Sequence, residues 1–257
     1  MTRAALFTSS SLLSLVVGVQ SVLAADAVSP YAIPYPTSHA AVSAPNGKFG
    51  GFGGSIDGLT GWGIDGAYSV PLSQQWGAQI DGLAGTGGGD AFWGAAGHLF
   101  WRDPTVGLLG LYGSWVSWSN AGANVSKVGI EGQMYNGRFT LGGNVVEQGG
   151  TFSGLAGEAD LSYYPQDNFR LDGGYRFLQG IGGVGSVGAE WLPNNNGFGL
   201  FATGNFGENG YSTVLGGLKF YTDAPKSLIG RDRQDDPPVA LPLDLVQQPV
   251  PAETTCD

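Results

Sequence analysis

The chain has one cysteine, Cys256, and two histidines, His39 and His98, in 257 residues. A single thiol excludes an internal disulfide in an exported chain. Two histidines without a cysteine or carboxylate cluster make a poor metal site, and they leave a serine nucleophile short of a base. Charge is scarce as well, at 12% of residues, and basic charge most of all: 11 Lys and Arg stand against 21 Asp and Glu. A net charge of −10 argues against a general affinity for nucleic acid, whose phosphates need basic patches. No segment after the N-terminus is apolar enough for a transmembrane helix, which needs about 20 such residues. No cofactor, no metal site and no nucleic-acid partner are therefore expected.

Glycine is what the chain has in excess, 46 residues of it. Glycine weakens isolated helices and strands, so such a chain needs another source of order, and a closed hydrogen-bonded ladder supplies one. Residues 1–24 have the layout of a secretory signal, with Arg3 before an apolar run from Leu12 to Val22 and small residues at Val22-Leu23-Ala24. Cleavage before Val28 is the second option. Residues 25–46 hold four prolines and read as an extended periplasmic arm, and residues 222–257 hold six more and read as a flexible acidic, Pro-rich periplasmic tail.

Between them, residues 47–221 contain four prolines, Pro71, Pro104, Pro165 and Pro193. Each falls between two alternating runs, where a turn accepts proline and a central strand does not. Asn136-Gly137, a hairpin signal, sits in the one double-length gap. Gly/Ser/Asn-rich connections lie midway between these turns. The pattern predicts twelve strands, at 47–56, 61–70, 75–84, 91–101, 106–117, 124–134, 138–147, 154–164, 169–178, 184–192, 197–206 and 211–221. Tight turns lie on one rim, with both chain ends, and looser loops on the other.

An even number of strands of about 10 residues, with short turns on one rim, describes an all-β transmembrane antiparallel barrel. Aromatics fall in two bands. Tyr68, Trp76, Trp101, Tyr135, Phe139, Tyr163, Phe169, Trp191, Phe198 and Phe220 flank the tight turns, and Phe92, Trp93, Trp115, Trp118, Phe177, Phe201 and Phe206 lie toward the loops. In "FRLDGGYRF", Phe169, Leu171, Tyr175 and Phe177 alternate with Arg170, Asp172 and Arg176. Side chains alternate faces along a strand, so the apolar set faces lipid and the charged set faces the lumen. The same parity places Asp65, Asp81, Lys127, Glu131, Arg138, Glu158, Asp160, Glu190 and Lys219 inside. A five-residue turn, Pro165 to Phe169, sets Glu158 opposite Arg176.

The layout, the signal and the ending "LGGLKFY" resemble Gram-negative outer-membrane β-barrel proteins, porin-like in kind. "KSLIGRDRQDDP" is similar to tails of uncharacterised alphaproteobacterial barrels. The resemblance implies an outer-membrane location, the outer-membrane bilayer as surroundings, and the insertion machinery as an assembly partner that reads outward Leu218 and Phe220. Many members stop at that aromatic, whereas this chain continues for another 36 residues, from 222 to 257.

Three functions fit a barrel of this kind. A low-conductance channel for small solutes comes first, with weak cation preference from seven lumen anions against five cations. A closed structural or interaction barrel is the alternative. An enzyme is disfavoured, because His98 has no nucleophile beside it. The "GVGSVG" match to a dinucleotide fingerprint, residues 183–188, lies in an alternating strand and carries no weight.

Overall fold

The computed structural model describes residues 40–119, 122–222 and 225–237, so the expected signal segment and most of the expected arm lie outside them. Twelve strands follow one another: β1 (Asn46–Ile56), β2 (Leu59–Pro71), β3 (Trp76–Gly87), β4 (Asp90–Asp103), β5 (Gly107–Trp118), β6 (Ala123–Asn136), β7 (Phe139–Gly150), β8 (Gly154–Gln166), β9 (Phe169–Leu178), β10 (Gly182–Trp191), β11 (Phe198–Gly207) and β12 (Ser212–Tyr221). Each pairs antiparallel with the next, and β12 returns to pair with β1 from Lys48↔Tyr221 to Ile56↔Thr213. The sheet is a closed barrel without an edge, so its strand backbones satisfy one another, as a lipid-embedded sheet must. Number, order and bounds agree with the sequence reading to within three residues.

Local chemistry explains the hairpins. Asp57 and Gly58 take φ of 49° and 79°, and Gly88 and Gly89 take 59° and 87°, the left-handed pairs that two-residue hairpin turns need. The expected five-residue turn from Pro165 to Phe169 is instead a bulge between Tyr163 and Gln166, which takes up Pro165, followed by a two-residue turn at 167–168, and Glu158 stands directly opposite Arg176.

The outside of the barrel is apolar. Ile64, Ile80, Val128, Met134 and Leu155 are each more than 60% exposed, and they belong to a band of exposed Leu, Ile, Val, Phe and Trp contributed by all twelve strands. Water does not tolerate apolar surface on that scale, and lipid does. Trp93 packs edge-on against Trp115 on the loop side, and Phe139 stacks on Tyr163 on the tight-turn side.

Three expectations are corrected. The rims do not differ as predicted: connections 57–58, 88–89, 119–122, 151–153, 179–181 and 208–211 span two to four residues, and 72–75, 104–106, 137–138, 167–168 and 192–197 span two to six. Glycine-rich loops looked longer because their flanking residues still pair. Second, Tyr135, Phe92, Trp118 and Phe201 do not belong to the girdles. Tyr135, Phe92 and Trp118 are buried inside the barrel, and Phe201 packs against the same interior cluster. Height along the strand suited them to a girdle, and parity turned them inward.

Third, part of the segment expected to be a flexible tail is folded. Helix α1 (Leu228–Gln234) starts at Ser227, whose Oγ accepts from Gly230 N–H at 3.3 Å, and stops before Pro237-Pro238. Leu228, Ile229, Arg231 and Asp232 are buried, with Leu228 and Arg231 at 0% exposure. The helix sits inside the tight-turn end of the barrel: Ile229 N–H donates to Asp167 O, and Leu228 N–H to Asn168 Oδ1. The described end of the arm also packs there, with Ala41 and Val42 buried against Phe100 and Leu108.

Candidate functional site

The lumen is the candidate site, and it is filled in three layers. At the loop end, Phe52, Ile56, Leu83, Phe92, Tyr112, Val116, Trp118, Val125, Val146, Leu178, Val184, Tyr211 and Leu215 join one buried apolar cluster. Strands from all round the barrel contribute, and none of these side chains is more than 8% exposed. An open pore would wet them. Inward glycines make room for this packing. A Cβ at Gly63 would come within 2.6 Å of the Phe52 ring, one at Gly85 within 2.4 Å of Phe92, and one at Gly217 within 2.7 Å of Phe201. Large side chains lie down across glycines of neighbouring strands, which accounts for part of the glycine content.

The middle layer is ionic and contains two networks. His98, on β4, meets Asp81 on β3 through Nε2 at 3.1 Å and Glu131 on β6 through Nδ1 at 2.9 Å. Gln79 Nε2 donates to Asp81 at 2.7 Å, and Ser69 Oγ donates to Gln79 at 2.6 Å. The second network centres on Arg170 and Glu190. Arg170 reaches Asp172 at 2.9 Å and Glu190 at 3.2 Å, and Glu190 also accepts from Lys219 at 2.6 Å and Tyr221 at 2.5 Å. A cavity of about 260 Å³ remains between this network and the apolar cluster, bounded in part by Phe52, Asp65, Glu190 and Phe201.

The third layer is α1 and the residues after it. Asp232 accepts from Arg170 at 2.6 Å and from Tyr164 at 2.8 Å. Asp236 pairs with Lys48, and Asp235 with Lys226 at 2.5 Å and with Ser43. Burial pushes the Asp236 carboxyl above its ordinary range, with the Lys48 ammonium pulling the other way. Arg231 lies over the Tyr221 ring at 4.8 Å. The Pro237 carbonyl accepts from Lys48 at 2.8 Å and from Gln79 at 3.3 Å, so the plug is bonded to the first network as well.

Eleven of the twelve residues assigned to the lumen lie on inward positions of strands: Asp65, Asp81, Lys127, Glu131, Glu158, Asp160, Arg170, Asp172, Arg176, Glu190 and Lys219. Glu158 and Arg176 approach to 3.7 Å. Arg138 differs. It belongs to the β6–β7 turn, pairs with Asp167 at 3.1 Å, and is 39% exposed in its side chain, so it marks the rim. The sequence reading missed Lys48 and Arg102, both buried inside. Parity could have found them, since Lys48 precedes outward Phe49 and Arg102 follows outward Trp101. Asp232 of α1, and Asp235 and Asp236 just after it, had no such signal, because a helix of seven residues leaves no period to read.

Both nitrogens of His98 face carboxylates, so neither is free to take a proton from a serine. Among the described residues no group of three or more His, Cys, Asp or Glu is arranged to hold a metal ion. Glu190 accepts from Arg170, Lys219 and Tyr221, and Glu190→Ala should destabilise the barrel by about 3–5 kcal/mol, because Arg170 and Lys219 would lose a buried acceptor. Urea unfolding in detergent micelles measures the loss. A change below 1 kcal/mol would mean, on that scale, that water already screens the network.

No protein-family model matches the chain, and no curated protein matches it by sequence. Solved structures do match in fold. The KdgM porin in complex with disordered oligogalacturonate is similar at a TM-score of 0.54 and 8% identity, over 68% of this chain and 98% of the porin. A second KdgM porin structure scores 0.51 at 9% identity over the same shares. Outer membrane phospholipase A from Escherichia coli scores 0.48 at 9% identity, covering 72% of this chain and 98% of its own. That likeness is too loose to carry any chemistry across. The shared property is the fold: a closed antiparallel barrel of the outer-membrane kind.

Proposed function

We propose that this chain is an outer-membrane barrel of the porin-like kind whose pathway is shut in the state described. The observation that carries this reading is the packing at both ends of the lumen: a buried apolar cluster spans the barrel at the loop end, and α1 is seated in the other. The lipid-facing exterior and the likeness to the KdgM porin support the class and the location. Lumen-lining residues such as Asp81, Glu131, Arg170 and Glu190 are then the walls of a closed passage. The charge count behind the expected weak cation preference was incomplete on both sides: Lys48 and Arg102 join the cations and Arg138 leaves them for the rim, while Asp232, Asp235 and Asp236 join the anions.

Both described ends of the barrel, at β1 and β12, lie on the tight-turn rim, which we assign to the periplasm. Inserting a barrel from that side moves six connections of two to four residues through lipid, and leaves the longer chain ends where they began. The outward Leu218 and Phe220 of β12 are the side chains offered to the insertion machinery.

Purified protein in a planar bilayer tests closure directly. The wild-type chain should be nearly silent, with no steady current at moderate voltage. A stable ohmic conductance would overturn closure and return the chain to the class of small open pores.

A further inference from the structure

The plug is held chiefly by groups that belong to the wall. Lys48 and Arg102 are buried cations of β1 and β4, at 5% and 0% exposure. Arg102 gives one N–H to Ala41 O at 3.1 Å, while its Nε and Nη2 find no partner among the described residues. A buried guanidinium left this way is costly unless acidic groups lie close by. Arg170 meets Asp232 from the far side of the ring. Between the cations, Tyr164, Leu192 and Tyr221 form an apolar seat that closes around Leu228 and Ile229. The mouth therefore carries two complementary features, a greasy seat and buried cations beyond it.

We propose that this mouth is a receptor site for an acidic peptide, one with an aliphatic pair followed by carboxylates four and seven or eight residues later, and that α1 occupies it as a built-in stand-in. Peptide is favoured over an acidic sugar for two reasons. Leu228 and Ile229 fill a seat that a uronate chain could not fill. The occupant's backbone is also bound, through Ile229 N–H to Asp167 O and the Pro237 carbonyl to Lys48 and Gln79. The inference rests on the shut-barrel reading, yet the two fail separately: current through the wild-type chain would overturn closure and leave peptide binding measurable.

The test uses the full-length protein and a labelled synthetic peptide of residues 225–237. In the D232N/D236N variant the tethered segment loses its ion pairs with Arg170 and Lys48 and keeps the bond from Lys48 to the Pro237 carbonyl. Trypsin should then cut at Arg231 and Arg233, and should spare the buried Arg231 in the wild-type protein. The native peptide should bind this variant in trans, and a peptide carrying the same two Asn substitutions should bind about tenfold more weakly. A folded variant that stays protected, or that opens and does not bind the peptide, overturns the proposal. Wild-type protein supplies a second measurement should the variant fail to assemble. A tethered segment competes at roughly millimolar effective concentration, so peptide above that level should speed tryptic cleavage at Arg231. No acceleration overturns the proposal. Equal binding of an oligogalacturonate of matched charge would also overturn it, by showing that charge alone is read.

Discussion

A chain lacking Leu218–Tyr221 should form no assembled barrel at all. Those four residues pair on both sides, with Lys48–Gly51 of β1 and with Phe198–Leu200 of β11. Removing them exposes unpaired backbone groups at the seam, and each such group costs several kcal/mol in hydrocarbon. The same deletion takes away Lys219 and Tyr221, two of the donors to Glu190, and the ring on which Arg231 rests. Gel migration with and without boiling, together with protease resistance in membranes, reads the outcome. Normal assembly would show that another segment closes the barrel.

Substituting leucine at two glycines should separate the wall's inner and outer faces sharply. Gly82 points out, and a Cβ there meets nothing within 4 Å. Gly82→Leu should leave stability unchanged or raise it, because it adds apolar surface against lipid. Gly63 points in, where a Cβ would lie 2.6 Å from the Phe52 ring and 2.7 Å from the Ala84 carbonyl. The ring can turn, but the carbonyl belongs to the ladder and cannot. Gly63→Leu should cost about 3 kcal/mol, at the upper end of overpacking penalties, and in this dense lumen it should impair assembly outright. Refolding yield and urea midpoint in micelles compare the pair. Equal tolerance at both positions would mean that the loop half of the lumen is loosely packed, and with it that the barrel is open.

Together these expectations describe a wall that is strong only when closed and a lumen that is full only because glycine lets it be. The plug adds to both. Asp232 ties α1 to β8 and β9, and Asp236 ties the chain after it to β1. The contacts therefore reach from the closing seam to strands well removed from it.

Strand number, order, pairing and facing were legible in the sequence, because a two-residue period survives any tertiary context. Leu171 cannot reach lipid unless Arg170 and Asp172 point away from it. That constraint also set Glu158 opposite Arg176, since a slip of one residue would have turned an entire strand inside out. Periodicity failed at the ends of the chain and in the lumen. Whether Phe92 and Trp118 meet lipid or one another depends on parity combined with how far side chains reach across the lumen, and height along the strand suggested otherwise. Whether "KSLIGRDRQDDP" hangs free or folds back depends on Arg170, Tyr164 and Lys48, which lie 62 to 188 positions away from the acids they hold, Asp232 and Asp236. Local patterns fix which face a residue takes, because neighbours along one strand enforce it. The packing of the lumen was decided by groups that only the closed barrel brings together.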